Sequence, residues 1–135
     1  MREEQAERLL YLNPSTIAAP VGRYSHGVLV PSGAKLLFIS GQVGIEPDGT
    51  VPPGFADQAR SAWRNLLAIL QAAGMGPDNL VKVTHYLTRP SDLAAYREVR
   101  AQIGGDARPA SMLVFAPALA DPRWLFEIEA VAAQP

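Results

Sequence analysis

Apolar and polar positions along the chain fall into blocks of two different periods. Gly27 to Pro31 and Lys35 to Ser40 are short apolar runs, and Ser32-Gly33 between them predicts a β-hairpin. From Phe55 the period lengthens: Phe55, Ala59, Ala62, Trp63, Leu66, Leu67, Leu70 and Ala73 recur at helical spacing, opposite Asp57, Arg60, Arg64 and Asn65. Gly74 supplies the stop. Leu80 to Thr88 alternates, with Val81, Val83, His85 and Leu87 against Lys82, Thr84, Tyr86 and Thr88, which predicts a strand. Ser91 is placed to cap a second helix that sets Leu93, Tyr96, Val99 and Ile103 on one face and ends at Gly104-Gly105. Ser111 to Phe115 and Leu125 to Ala132 predict two further strands around a loop containing Asp121-Pro122. Residues 1–18 show no strand pattern and form an N-terminal extension, in which Glu4 to Leu12 fits a short helix stopped by Asn13-Pro14.

The predicted order is ββαβαββ, with both helices on one face of a mixed sheet: an α+β, two-layer domain over residues 1–135. The last strand leaves two choices for the bare face of that sheet, Glu127 and Glu129 or Phe126 and Ile128. An apolar face left uncovered by helices needs other cover, and a second subunit is the simplest.

Composition narrows the chemistry. A chain of 135 residues suits one domain, and 48% hydrophobic against 19% charged residues is enough apolar content to offset the ordering entropy of a packed core. The absence of cysteine removes disulfides, thiolate zinc sites, iron–sulfur clusters and a cysteine nucleophile together. Charged residues at Arg2, Glu3, Glu4, Glu7 and Arg8 interrupt the apolar run a signal peptide needs, and no stretch approaches the ~20 apolar residues of a membrane span. A cytoplasmic location with no membrane partner is expected. A net charge of −1 and no Lys/Arg-rich block give no support to a nucleic-acid partner.

Residues that suggest chemistry also have plainer readings. His26 reads as a loop histidine and His85 as a hydrogen-bonded sheet histidine, since nothing in their spacing makes them an acid–base pair. Ser25, Ser40 and Ser111 lie outside any Gly-x-Ser-x-Gly elbow, so no serine-hydrolase triad is signalled. Gly74-Met75-Gly76 is a helix stop, and Trp63 is core. Glu127 and Glu129 are two apart on one strand face, their attachment points ~7 Å apart; such a pair is ordinarily a solvated face.

A series of short stretches nevertheless resembles one family, the Rid/YjgF proteins or reactive-intermediate deaminases. They are Ala19 to Gly27 (APVGRYSHG), Ile39 to Gln42 (ISGQ), Asp57-Gln58-Ala59 leading into Trp63 to Leu66, Ala72-Ala73-Gly74, Val81 to Thr84 with Leu87-Thr88, Arg108 to Ser111 (RPAS), and Glu127 to Val131 (EIEAV). Each is weak alone, but together they cover residues 19 to 131 in order. The resemblance implies a chorismate-mutase-like homotrimer whose sheets pack into a central barrel, with three small-molecule clefts between subunits. It also implies hydrolysis of reactive imines and enamines to a carbonyl product and ammonia, with no metal or organic cofactor.

Residue by residue, the resemblance assigns Tyr24 to one wall of the cleft and Glu127 to positioning or activating water. Ser40 and Gly41 match the strand end whose backbone borders the ligand. The deaminases carry an arginine after the Pro-Ala pair that clamps the substrate carboxylate; here that position is Ser111. A hydroxyl gives one neutral hydrogen bond where a guanidinium gives a charged fork. Losing a charge-assisted contact of about 1.5–3 kcal/mol weakens carboxylate binding roughly tenfold to a few hundredfold. Arg97 aligns with a ligand-side asparagine of the deaminases and lies off the buried stripe of its helix, so it is the candidate replacement anchor; Arg108 would sit ~10 Å from Ser111 along an extended chain. Two functions are therefore expected: an imine or enamine hydrolase using Glu127 and Tyr24, or a binding protein or different hydrolase that lost the clamp.

Overall fold

The computed structural model describes residues 7–135. In chain order they form β1 (Leu10–Leu12), β2 (Gly27–Leu29), β3 (Lys35–Val43), α1 (Phe55–Ala72), β4 (Leu80–Leu87), α2 (Leu93–Gln102), β5 (Ala110–Phe115) and β6 (Phe126–Gln134). Four strands make one mixed sheet in the order β3-β6-β4-β5, in which β4 and β5 run parallel and the other pairs antiparallel. Both helices supply the buried side chains that cover one face of it, so the two-layer α+β plan holds, with one more strand at its start than the sequence pattern predicts.

That added strand corrects two expectations. Leu10–Leu12 is extended rather than helical and pairs antiparallel with Gly27–Leu29, while residues 4–6 lie outside the described part. A helix this short is marginal in water, whereas a partner strand satisfies the backbone at once. The expected hairpin is the second correction. Ser32-Gly33 does turn the chain, with Gly33 at φ +82° and the Ala34 N–H reaching the Pro31 carbonyl at 3.4 Å. Its arms, however, pair elsewhere, β2 with β1 and β3 with the nine-residue β6. On β3 the long ladder allows Leu37 and Ile39 to enter the core, a gain the short local hairpin does not offer.

Along β6, Phe126, Ile128, Ala130 and Ala132 are buried toward the helices, which decides the open question of faces: Glu127, Glu129 and Val131 lie on the bare side. On β4 a register shift between Leu80 and Lys82 puts Leu80, not Val81, in line with Val83, His85 and Leu87 in the core. Ser91 does not cap α2; it lies in a 3₁₀ turn, Pro90–Asp92, and no side chain caps the helix because Arg89 holds the Asp92 carboxylate at 2.7 Å. Proline fixes the first turn and so takes the place of a hydroxyl cap.

Trp63, Leu66 and Leu70 of α1, Tyr96 and Val99 of α2, and Phe126 and Ile128 of β6 meet in the centre. Each such apolar side chain contributes on the order of 1.5–3 kcal/mol through burial. One buried polar side chain ties this core to the loops. Gln58 donates to the carbonyls of Pro52 (2.8 Å) and Arg123 (2.9 Å) and accepts the Leu125 N–H (2.8 Å). Gly44 crosses so near that a β-carbon there would stand 2.6 Å from the Gln58 Cα. The bare side of the sheet, by contrast, exposes Phe38 (73%), Leu36 (55%) and Met112 (51%).

Candidate functional site

Residues 21–25 run beside the start of β5, where Ser25 donates its N–H to the Pro109 carbonyl at 3.1 Å and bridges in parallel to Ala110. This carries Tyr24 to the outer edge of the sheet. There the segment, α2 and strands β4 and β5 enclose a cleft of about 520 Å³ whose lining includes Tyr24, His85, Tyr96, Arg97 and Ser111. Arg23 and Arg100 also line it, and among the described residues no aspartate or glutamate does. Its apolar walls are Val21, Leu93, Met112 and Leu113. The cleft is thus shaped for a small molecule with an apolar body, under a cationic bias that nothing in the lining neutralises.

The three arginines are held differently. Arg100 donates to the backbone carbonyls of Ile103, Gly105 and Ala107, the last at 2.8 Å, and lies over the Trp63 ring at 5.1 Å. Burial lowers its proton affinity somewhat below that of a free guanidinium. Arg23 reaches the Gly105 carbonyl at 3.4 Å. Arg97 is exposed and has no hydrogen bond or ion pair among the described residues, which leaves its guanidinium able to meet a ligand. Tyr24 is fixed by its hydroxyl accepting the Val21 N–H at 3.2 Å and by an edge-on contact with His26.

Behind the cleft wall a polar chain penetrates the core. The Trp63 indole N–H donates to the Tyr96 hydroxyl at 3.0 Å, Tyr96 meets His85 Nδ1 at 2.5 Å, and His85 Nε2 meets Ser111 Oγ at 3.0 Å. Burial, with the positive charges of Arg100 and Lys82, pulls the His85 pKa down from 6.5 to about 3. His85 is therefore neutral near pH 7. The Ser111–His85–Tyr96 alignment resembles a nucleophile–base–orienter triad, but magnitude decides against that reading. Protonating a base held this far below a free imidazole costs on the order of 5 kcal/mol, and no carboxylate is among the charges acting on it.

Glu127, Ser40 and Gly41 form a second group away from these residues. Ser40 and Gly41 occupy the register shift on β3 between Ile39 and Gln42, and Gly41 lies against the Glu127 carboxylate so closely that a β-carbon there would overlap Oε2 at 1.9 Å. Within one copy of the chain Tyr24, Arg97 and Ser111 are brought together, and Ser40, Gly41 and Glu127 are brought together, but Glu127 does not line the Tyr24 cleft. Arg108 lines a different depression, with Tyr11 and Asp78, so of the two candidate cations only Arg97 borders Ser111's cleft. Among the described residues no cluster of three or more His, Cys, Asp or Glu is arranged to hold a metal, and no helix is long and apolar enough to cross a membrane.

Sequence reasoning passed over Arg23, Arg100 and the Trp63–Tyr96–His85 chain. Trp63 reads as core and His85 as a hydrogen-bonded sheet histidine, as both are, while Tyr96 reads only as part of the apolar face of its helix. Only the tertiary meeting of α1, α2 and β4 reveals that their polar atoms join. His26 is a loop histidine, its Nε2 at 2.6 Å from the Ala18 carbonyl.

The mixed four-stranded sheet with two helices on one face is shared with solved structures of the Rid family. The chain belongs to the Rid/YjgF family, matching the family model described as Endoribonuclease L-PSP over residues 16–134. It is 38% identical over 115 residues to a RutC family protein of Pyrococcus horikoshii, covering 84% of this chain and 88% of that one. It is also 38% identical over 125 residues to the 2-iminobutanoate/2-iminopropanoate deaminase of Mus musculus, covering 89% of each. Among solved structures, a Rid-family protein of unknown function from Yersinia pestis superimposes with a TM-score of 0.81 at 32% identity, covering 92% of this chain and 97% of that one.

Proposed function

We propose that the protein is a RidA-like homotrimer that binds small imines or enamines in clefts between subunits and hydrolyses them to a carbonyl product and ammonia. The observation that carries this reading is the cleft itself, which gathers Tyr24, Ser111 and three arginines and, among the described residues, no carboxylate. The carboxylate this reading needs is Glu127, on the same bare sheet face that exposes Phe38, Leu36 and Met112 further along the strands. A neighbouring copy covering that face is the arrangement that would set one copy's Glu127 at another's Tyr24.

In the proposed reaction Glu127 accepts a hydrogen bond from water, the water oxygen adds to the imine carbon, and the proton released passes to the nitrogen. The resulting amino alcohol collapses: its hydroxyl proton passes to the nitrogen, the C–N bond breaks as the C=O bond forms, and ammonia leaves the carbonyl product. Neither metal nor organic cofactor is required for this sequence. Although the family description names an endoribonuclease, a net charge of −1 and a cleft of this size favour a small ligand over RNA.

The test is to generate 2-iminobutanoate with an amino-acid oxidase and follow its decay. Decay accelerated by the protein and abolished by Glu127→Ala supports the reading; equal decay with both proteins removes it. A second reading, a binder without turnover, is favoured by Ser111, whose single neutral hydroxyl replaces a charged fork. It predicts thermal stabilisation by 2-oxobutanoate in proportion to saturation, with no acceleration of imine decay.

A further inference from the structure

We infer that Trp63, Tyr96 and His85 form a one-way hydrogen-bond relay that frees the Ser111 hydroxyl hydrogen for the cleft, so that the site favours a ligand presenting an acceptor oxygen there. This rests on the proposed use of the cleft for a small molecule and adds to it three positioning residues and a rule for what the ligand offers.

Hydrogen counting along the chain gives the direction. An indole N–H can only donate, so at the 3.0 Å contact the Tyr96 oxygen accepts from Trp63. The Tyr96 hydrogen must then go to the one acceptor in reach, His85 Nδ1. Were Nδ1 to carry a hydrogen instead, the buried Tyr96 hydroxyl would face two donors with nothing to receive its own hydrogen, and a buried unpaired donor is costly. With Nδ1 accepting, the proton of a neutral ring resides on Nε2, which donates to Ser111 Oγ at 3.0 Å. The Ser111 oxygen is thus occupied as an acceptor on its inner side, and its own hydrogen is left for the cleft that it lines.

The surroundings hold the relay in this state. The charges acting on His85 are Arg100 from α2 and Lys82 from its own strand, both positive, and burial adds to their effect. Its other facing groups are the neutral Tyr96 from α2, Trp63 from α1 and Ser111 from β5. Nothing there stabilises an imidazolium, and the donor direction therefore persists across the neutral range. Ser111 accordingly suits a carboxylate or carbonyl oxygen, which takes its hydroxyl hydrogen, better than an ammonium or amide N–H, which could use only the second lone pair of an oxygen already accepting from His85. Tyr96 and His85 act through Ser111 and are positioning residues.

Two measurements on the assembled protein test this. Long-range ¹H–¹⁵N spectra, with the His85 signals identified by their loss in His85→Gln, should show the Nε2–H form unchanged from pH 5 to 8. An Nδ1–H ring or a titrating imidazolium overturns the relay. Second, Tyr96→Phe, which removes the donor to Nδ1 and only one oxygen from the cleft lining, should release that tautomer and weaken 2-oxobutanoate binding about tenfold while the melting curve remains cooperative. Unchanged affinity overturns the claim that the relay acts on the ligand. If the unaltered protein fails to bind 2-oxobutanoate, the proposed use of the cleft falls, while the tautomer measurement still decides the relay because it needs no ligand.

Discussion

Acidification offers a quantitative probe of the buried histidine. In the unfolded chain His85 titrates near 6.5, whereas in the fold burial and the charges of Arg100 and Lys82 hold it to about 3. Below pH 6.5 the unfolded state therefore binds a proton that the folded state does not, so stability falls as pH falls, and the loss ends only near pH 3. Each pH unit inside that window costs about 1.4 kcal/mol. Between pH 8 and pH 4.5 the loss from this one residue is thus on the order of 3 kcal/mol. Carboxylates titrate in the lower part of the same range, so the informative quantity is a difference. His85→Gln keeps an acceptor and a donor on one neutral side chain and cannot take up the proton. Urea denaturation of both proteins at one fixed concentration, at pH 8, 6.5, 5.5 and 4.5, should show the native protein losing stability relative to the variant only below pH 6.5. Parallel curves down to pH 4.5 would refute a depressed His85 and the solvent-free environment behind it.

Other residues give shorter tests. Gln58→Leu deprives the Pro52 and Arg123 carbonyls and the Leu125 N–H of their partner, and three lost hydrogen bonds should cost about 3 kcal/mol in chemical denaturation; a loss below about 1 kcal/mol would mean that these groups find other partners. Gly41→Ala should displace the Glu127 carboxylate, so imine hydrolysis should fall at least tenfold while far-ultraviolet circular dichroism stays unchanged, and retained activity would separate Glu127's observed position from its role. Arg97→Ala should weaken 2-oxobutanoate binding severalfold and leave the sedimentation coefficient unaltered, whereas equal affinity would show that the guanidinium serves only as helix surface. Phe38→Glu on the bare face should lower the oligomeric state measured by light scattering, and an unchanged mass would place the subunit interface elsewhere.

Much of the fold is written in local pattern. The α1 stripe from Phe55 to Leu70 and the alternation along β4 depend on neighbours in the chain, and both elements occur close to where the spacing puts them. The failures come where a distant partner decides. Leu10–Leu12 becomes a strand only because Gly27–Leu29 is beside it, and β3 leaves its apparent hairpin partner for β6. Likewise, Tyr24, Arg97 and Ser111 were each legible as single positions through their motifs or their place on a helix. That Arg23 and Arg100 join them follows from the packing of residues 21–25 and α2 around β5, which no spacing encodes. His85 and Tyr96 are the instructive pair, because a polar atom at a core-period position carries no sign of whether another will meet it.

The most direct test of the proposed function is a crystal of the protein soaked with 2-oxobutanoate, the carbonyl product of 2-iminobutanoate hydrolysis. The molecule should lie in the cleft bounded by Tyr24 and Arg97, with one of its oxygens within hydrogen-bonding distance of Ser111 Oγ and a neighbouring copy's Glu127 facing its carbonyl carbon. An empty cleft at saturating ligand, or a bound molecule with no oxygen at Ser111 and no Glu127 near its reactive carbon, would contradict it.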